Sequence, residues 1–155
     1  MYKSAVRITV LAAVALSAVA LAGCADDMTD EQAVWAGPPD PAADGSVAVA
    51  DFQAYADDVD ERWERSPTMA AAEFLRLDER QASRTTIAGT ASPEGTGPET
   101  VVVTLDGLMD DSVRAERWTL TFTPDGDVYE LTAAEWAQQC QPNRGHQDFT
   151  PEPCV

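Results

Sequence analysis

The longest hydrophobic run of the chain lies near its start. Residues 8–21 are apolar except for Thr9 and Ser17, and Lys3 and Arg7 precede them without an acidic residue. A short basic segment followed by such a run is typical of a secretory signal sequence. The run is too short for a comfortable membrane span, which needs about 20 residues. The pattern therefore predicts an N-terminal leader.

Apolar residues recur at helical spacing over residues 46–65, at Val49, Phe52, Ala56, Val59 and Trp63. Alternating intervals of three and four place them on one face of a helix. We expect Ser46 to cap this helix and Pro67 to end it. The stripe is interpreted as a core face or, alternatively, as an exposed face that binds a partner. Ser66 and Pro67 then predict the start of a second helix that runs to about Glu79.

The hydrophobic period changes to two after residue 83. Four segments read as strands, over residues 84–90, 100–105, 114–123 and 128–139. Side chains that point inward are predicted at Trp118, Leu120 and Phe122, with a hairpin turn at residues 124–127. A β-bulge in the last strand would allow Trp136 to pack on the same face as Leu131.

The order of these elements predicts an α+β fold. One or two N-terminal helices would pack on a four-stranded antiparallel meander, with a disulfide-closed C-terminal tail. In element order this arrangement looks like the cystatin-like and NTF2-like architectures. Those folds host enzymes, binding proteins and modules without activity, so the likeness implies no function.

The leader ends in the sequence Leu21-Ala22-Gly23-Cys24. This motif resembles the lipobox of bacterial lipoproteins. The resemblance implies that residues 1–23 are removed as a signal peptide and that the Cys24 thiol receives a diacylglycerol. The protein would then be anchored by acyl chains at the extracytoplasmic face of the cell membrane. Two alternatives are a secreted protein cut at another position and an uncleaved anchor.

The charge balance is strongly acidic, with a net charge of −17. Residues 24–155 hold all 27 acidic residues and only eight of the ten basic ones. A nucleic-acid partner is therefore excluded, and anionic lipid would repel the domain, which leaves membrane binding to the acyl chains on Cys24.

Residues 24–45 are acidic and Pro-rich, which predicts a disordered tether before a single domain over residues 46–155. Trp35 is expected to contact the domain loosely or, alternatively, to lie at the lipid interface.

Two cysteines remain if Cys24 is acylated. Cys140 and Cys154 are predicted to form a disulfide, as is usual for a pair of cysteines in an exported protein. A zinc site formed with His146 is the alternative, although three ligands without a Cys-x-x-Cys motif make a poor match. No metal is therefore expected.

The segment around these cysteines resembles the C-terminal ends of uncharacterised exported bacterial proteins. In those proteins a tryptophan-bearing strand leads into a cysteine, an Arg-Gly turn and a final cysteine, and Trp136 takes the strand position here. The loop at residues 110–112, with Arg114 and Arg117, is similar as well. The resemblance implies a shared fold and no known chemistry.

The candidate interaction residues are Arg144, His146 and Phe149. Arg144 is expected to pair with a carboxylate or, alternatively, to bind an anionic ligand.

No pattern in the chain predicts catalysis. His146 has Asp148 nearby but no Gly-x-Ser-x-Gly nucleophile elbow, and Asp125-Gly126-Asp127 lacks the remainder of a calcium loop. We therefore expect no catalytic residues and no cofactor. The favoured hypothesis is a non-enzymatic binding or structural module of the cell envelope that recognises an envelope protein or a small ligand.

Two alternative functions stay open at this point. An NTF2-like enzyme would need a buried acid in a cavity between helices and sheet. An inhibitor or regulator of an extracellular enzyme would use the tail loop, with Arg144, His146 and Phe149 projecting outward.

Overall fold

The computed structural model describes residues 33–90, 92 and 97–155, so the predicted signal peptide and lipobox lie outside the described residues. The described chain is an α+β domain. Its elements are β1 (Ser46–Val47), α1 (Ala50–Asp58), a 3₁₀ helix (Arg62–Arg65), α2 (Pro67–Phe74), β2 (Ala82–Thr90), β3 (Glu99–Leu108), β4 (Val113–Asp125) and β5 (Val128–Cys140). Within these residues, no helix is both long and apolar enough to cross a bilayer.

The strands form one antiparallel sheet in the order β1-β5-β4-β3-β2. The predicted meander of β2 to β5 is confirmed, but the sheet has five strands rather than four. The fifth is β1, in which Ser46 pairs with Glu135 and Val47 with Ala134. A strand of two residues has no periodicity of its own, so only its pairing with β5 defines it.

The core lies between the helices and one face of the sheet. Trp118, Leu120 and Phe122 point into it as predicted, with exposed fractions of 3% or less. Val101 and Val103 of β3 pair with Leu120 and Trp118 across the strands. Phe74 at the end of α2 and Leu75 directly after it belong to the same core cluster. Burial of these side chains accounts for most of the favourable free energy of folding.

The predicted bulge occurs in β5. Thr121 pairs with Ala133 and Phe122 pairs with Leu131, so one extra residue lies between the two positions on β5. The extra residue reverses the alternation. Leu131 and Trp136 consequently both pack against the core.

The prediction of one helix over residues 46–65 is wrong. Ser46 belongs to β1, α1 spans only Ala50–Asp58, and Trp63 lies on the separate 3₁₀ helix. Acidic residues follow at the C-terminal end of α1, where the helix dipole is unfavourable to negative charge. The apolar stripe still reaches the core, because the ring of Trp63 packs 5.5 Å from that of Phe52 across the break.

The second helix begins at Pro67 as predicted, but it ends at Phe74 rather than near Glu79. Arg76 has a positive φ of 49°, which is incompatible with a continued right-handed helix. Its guanidinium donates to the carbonyl oxygen of Trp35 and pairs with Glu79 and Asp78. These long-range and local contacts end the helix early.

Trp35 belongs to the core, so the expectation of a loose or lipid-facing Trp35 is wrong. It is 7% exposed, and its ring packs 5.1 Å from Phe52 and 5.9 Å from Phe74. Its indole N–H donates a 2.8 Å hydrogen bond to the Phe74 carbonyl oxygen. The second half of the predicted tether is therefore held on the domain at its two buried residues, Trp35 and Gly45.

Candidate functional site

The C-terminal tail, residues 141–155, lies along the edge of β5. Past the point where β1 pairs with β5, the backbone of Gln138 on β5 and the backbone of Thr150 in the tail form two hydrogen bonds with each other, of 2.8 and 3.0 Å. The predicted disulfide between Cys140 and Cys154 is present, with the two Cα atoms 5.5 Å apart. The bridge and the backbone pairing together hold the tail against the sheet.

A groove of about 200 Å³ lies on the sheet face opposite the helices, and we call it the outer groove. Alternation directs residues of four strands into it, Arg114 joins Ala115 at a register shift of β4, and Phe149 of the tail forms one wall. Its lining consists of Arg84, Thr86, Thr104, Asp106, Arg114, Ala115, Gln139 and Phe149. Ala115 is buried yet separate from the main core, because the tail covers it from the outer side.

The outer groove concentrates positive charge. Asp106 is its one acid, and it lies 3.4 Å from Arg84 and 3.6 Å from Arg114. Arg117, next to the groove on β4, places its guanidinium 3.8 Å from the centre of the Phe149 ring. None of the ion pairs formed within the described residues involves Arg117. Three arginines therefore face one carboxylate in a chain whose net charge is −17.

Arg144 finds a carboxylate within the fold, in agreement with one of its two predicted roles. Its guanidinium lies 3.2 Å from the carbonyl oxygen and 3.4 Å from the carboxylate of Asp111. Asp110 orders that loop by accepting hydrogen bonds from the backbone N–H groups of Val113 and Ser112, which lower the pKa of its carboxyl. Arg144 and Asp111 are both solvent-exposed. The ion pair can thus exchange for an external anion.

His146 is held by two backbone carbonyl groups. Its Nε2 lies 2.8 Å from the Glu152 oxygen and its Nδ1 lies 2.8 Å from the Asp148 oxygen. Both partners are acceptors, and these contacts raise the pKa of His146, with the Glu152 carbonyl as the larger cause. Both ring nitrogens are therefore engaged by backbone groups of the tail.

The three residues of the alternative zinc site lie together, but the two cysteines are not in the thiolate form that zinc binds. The ligand atoms of Cys140, His146 and Cys154 lie within 4.8 Å of one another. Zinc binds cysteine as the thiolate, and here the two sulfurs are joined to each other.

Glu116 is an acid of β4 that lies beside Trp118 of the core. It is half-buried, accepts a 3.3 Å hydrogen bond from the indole of Trp118, and pairs with Arg80 at 3.2 Å. Arg80 also lies over the Trp118 ring at 5.6 Å. This carboxylate therefore supports the packing of Arg80 on the sheet.

The structure brings only Phe149 of the three candidate tail residues to the outer groove. Phe149 is half-buried beneath Arg117, Arg144 points to the loop at residues 110–112, and His146 binds within the tail. Sequence reasoning missed Arg84 and Asp106. Both lie on the outward-facing set of their strands, but their direct pairing depends on a register that alternation does not reveal.

Comparison with protein-family models, with curated proteins and with solved structures finds no match for this chain. The likeness to cystatin-like and NTF2-like folds therefore rests on element order alone.

Proposed function

We propose that this protein is a lipid-anchored lipoprotein of the cell envelope and that its folded domain is a non-enzymatic binding module. Acyl chains on Cys24 would hold it at the extracytoplasmic face of the cell membrane. The lipobox sequence supports the anchor, and the Cys140–Cys154 disulfide agrees with an oxidising compartment.

The outer groove is the proposed binding surface, and its ligand is an acidic group presented by an envelope protein or a small molecule. The observation on which this depends is Arg117 beside Arg84 and Arg114, since Arg117 forms no ion pair within the described residues. Stacking on Phe149 covers one face of the Arg117 guanidinium and leaves its edge uncovered by that ring. Such an edge matches the two oxygens of a carboxylate or phosphate.

Two features of the outer groove favour a defined ligand over general attraction of anions. The hydroxyl groups of Thr86 and Thr104 lie in the same groove and can donate to the oxygens of an acid. The disulfide and the backbone pairing of the tail keep Phe149 in place before a ligand arrives, which reduces the entropy lost on binding.

The tail offers a second candidate function, as an inhibitor or regulator of an extracellular enzyme. Arg144 is exposed on a turn that the disulfide closes. A rigid turn with an exposed basic side chain resembles an inhibitory loop in physical terms. Phe149 packs beneath Arg117, so in this function Arg144 would make the contact.

The anchor is tested by replacing Cys24 with Ala and following fractionation and incorporation of labelled palmitate. We expect the variant to lose the label and to remain as precursor or leave the membrane fraction. Unchanged membrane retention without label would contradict the anchor.

The binding surface is tested by NMR titration of the purified protein with acetate, inorganic phosphate and an acidic peptide. We expect saturable shifts of the backbone amides of Thr86 and Thr104, which line the groove, and the variant Arg117→Gln should abolish these shifts. Arg62→Gln is the matched control, because Arg62 is exposed on the 3₁₀ helix and forms no ion pair within the described residues. Equal loss of binding in both variants would indicate attraction by net charge alone.

A further inference from the structure

A second cavity lies on the helical side of the domain, away from the outer groove. Its volume is about 420 Å³, and we call it the aromatic cleft. Segments before α1, within α1, around the 3₁₀ helix and along α2 all contribute to it. Its lining consists of Ala33, Val34, Trp35, Tyr55, Val59, Glu61, Trp63, Glu73, Arg76 and Asp78.

Three aromatic side chains form one wall of the aromatic cleft. The rings of Tyr55 and Trp63 are nearly parallel, at 8°, with centroids 6.0 Å apart, and Trp35 lies 6.1 Å from Tyr55. Tyr55 and Trp63 are half-buried, since Trp35 and Phe52 support them from the core side. Because both residues line the cavity and are only half-buried, part of each side chain is accessible from it.

The charged groups of the aromatic cleft are mainly acidic. Arg76 is its one basic residue, and that guanidinium is already occupied by Asp78, Glu79 and the Trp35 carbonyl oxygen. Glu61 and Glu73 form no ion pair within the described residues. The cleft therefore has an excess of negative charge next to its aromatic wall.

The Tyr55 hydroxyl donates a 3.1 Å hydrogen bond to Glu73, which fixes that carboxylate at the wall. Desolvation of Tyr55, followed by the charge of Glu73, raises the pKa of the phenol, so Tyr55 stays neutral and keeps donating. The Glu73 carboxylate therefore lies beside the rings as the acceptor of the Tyr55 hydroxyl.

The arrangement of the carboxylates discriminates between kinds of cation. A metal ion needs several ligand oxygens within a few ångströms, and no group of three acidic side chains in the described part of the chain approaches so closely. A cation whose charge is spread over alkyl groups needs aromatic faces and looser negative charge.

We propose that the aromatic cleft binds an organic ammonium group against the accessible parts of Trp63 and Tyr55, with Glu73 neutralising its charge. The volume is in the range of small-molecule sites. This proposal is independent of the outer groove and of the lipid anchor, because no residue is shared with either.

The test uses choline and its neutral isostere 3,3-dimethylbutan-1-ol as probes. Full-length protein is purified in a detergent without a quaternary ammonium group, and the backbone amides of Glu61 and Trp63 are followed by NMR. We expect saturable shifts with choline, and binding of the neutral isostere weaker by about tenfold. Equal binding of both probes would overturn the proposal, as would the absence of saturation up to about 100 mM choline.

Variants separate the aromatic and the ionic contribution. Trp63→Ala should weaken choline binding about tenfold, and Trp63→Phe, which keeps a ring and its packing on Phe52, should weaken it less. Glu73→Gln keeps an acceptor for Tyr55 and should weaken binding about threefold. Asp127→Asn removes the same charge from the distant hairpin turn and should leave binding unchanged. Unaltered binding in both Trp63→Phe and Glu73→Gln would reject the assigned residues.

Discussion

The burial of Trp35 leads to a prediction about stability that composition alone would not suggest. Trp35 comes from an acidic, Pro-rich segment, yet its ring lies between Phe52 and Phe74 in the core. We expect Trp35→Ala to destabilise the whole domain, because both aromatic neighbours and the carbonyl oxygen of Phe74 lose a partner.

The size of the effect follows from these contacts. Truncating a buried Trp to Ala costs about 3–5 kcal/mol, a range that includes the transfer and cavity contributions. The lost hydrogen bond from the indole to the Phe74 carbonyl accounts for about 1 kcal/mol of stability by itself. Trp35→Phe, which keeps a ring, should therefore cost about 1–2 kcal/mol. Since small domains have about 5–15 kcal/mol in total, Trp35→Ala removes a large share.

Urea denaturation followed by circular dichroism measures this loss. With a slope of about 2 kcal/mol per molar, Trp35→Ala should lower the midpoint by about 2 M urea. Val34→Ala is the control, since Val34 is 80% exposed and its truncation should change stability by less than about 0.5 kcal/mol. A change of similar size in both variants would refute the placement of Trp35 in the core.

Three further predictions concern the backbone and the tail. Gly45→Ala should lower the free energy of unfolding, measured by urea denaturation, by about 2–4 kcal/mol, because φ is +86° and the added Cβ would meet a carbonyl oxygen of β5 at 2.5 Å. Gly126→Ala is the control: φ is +60° but the surrounding space is open, so it should lower stability by only about 1–2 kcal/mol. Native protein should show no free thiol at Cys140 or Cys154, and reduction should lower stability by about 3 kcal/mol, whereas reactive thiols in the native state would reject the bridge. The pKa of His146 is raised in the folded state, so its stabilising effect is complete below the unfolded-state pKa of about 6.5 and is lost as the pH rises through the folded-state pKa. The difference in stability between wild type and His146→Gln should therefore shrink from acid to alkaline pH. A difference that stays constant with pH would contradict the two carbonyl contacts.

The sheet was the most predictable part of the fold. Alternation in β4 placed Trp118, Leu120 and Phe122 correctly, and the excess apolar residue in β5 pointed to the bulge near Leu131 and Trp136. These features depend on neighbouring residues, so a short stretch of sequence contains the whole signal.

The helical region was less predictable for a physical reason. The apolar stripe that includes Phe52 and Trp63 has helical spacing. The burial of these side chains depends on whether they reach the core, and a continuous helix is not needed for that. Two short helices in series satisfy the same stripe. The strand β1 has no local signal, because Ser46 and Val47 become a strand only by pairing with β5.

The candidate sites depended most on tertiary structure. Sequence patterns did not single out Arg84 and Asp106, because the register that pairs them is a contact between separate strands. Likewise, no feature of the segment around Trp35 predicts that its indole contacts Phe74, which lies 39 positions further along the chain.

The sequence by itself determined the strand periodicity, the hairpin turn, the disulfide partners and the acidic character of the chain. It also predicts the leader and the lipid anchor at Cys24. Only the tertiary structure decided where the helices end, which aromatic residues support the cleft, and which arginines meet in the outer groove. The physical reason is that local propensities act between neighbours in the chain, whereas both cavities are formed by residues that come together only when the apolar faces are buried.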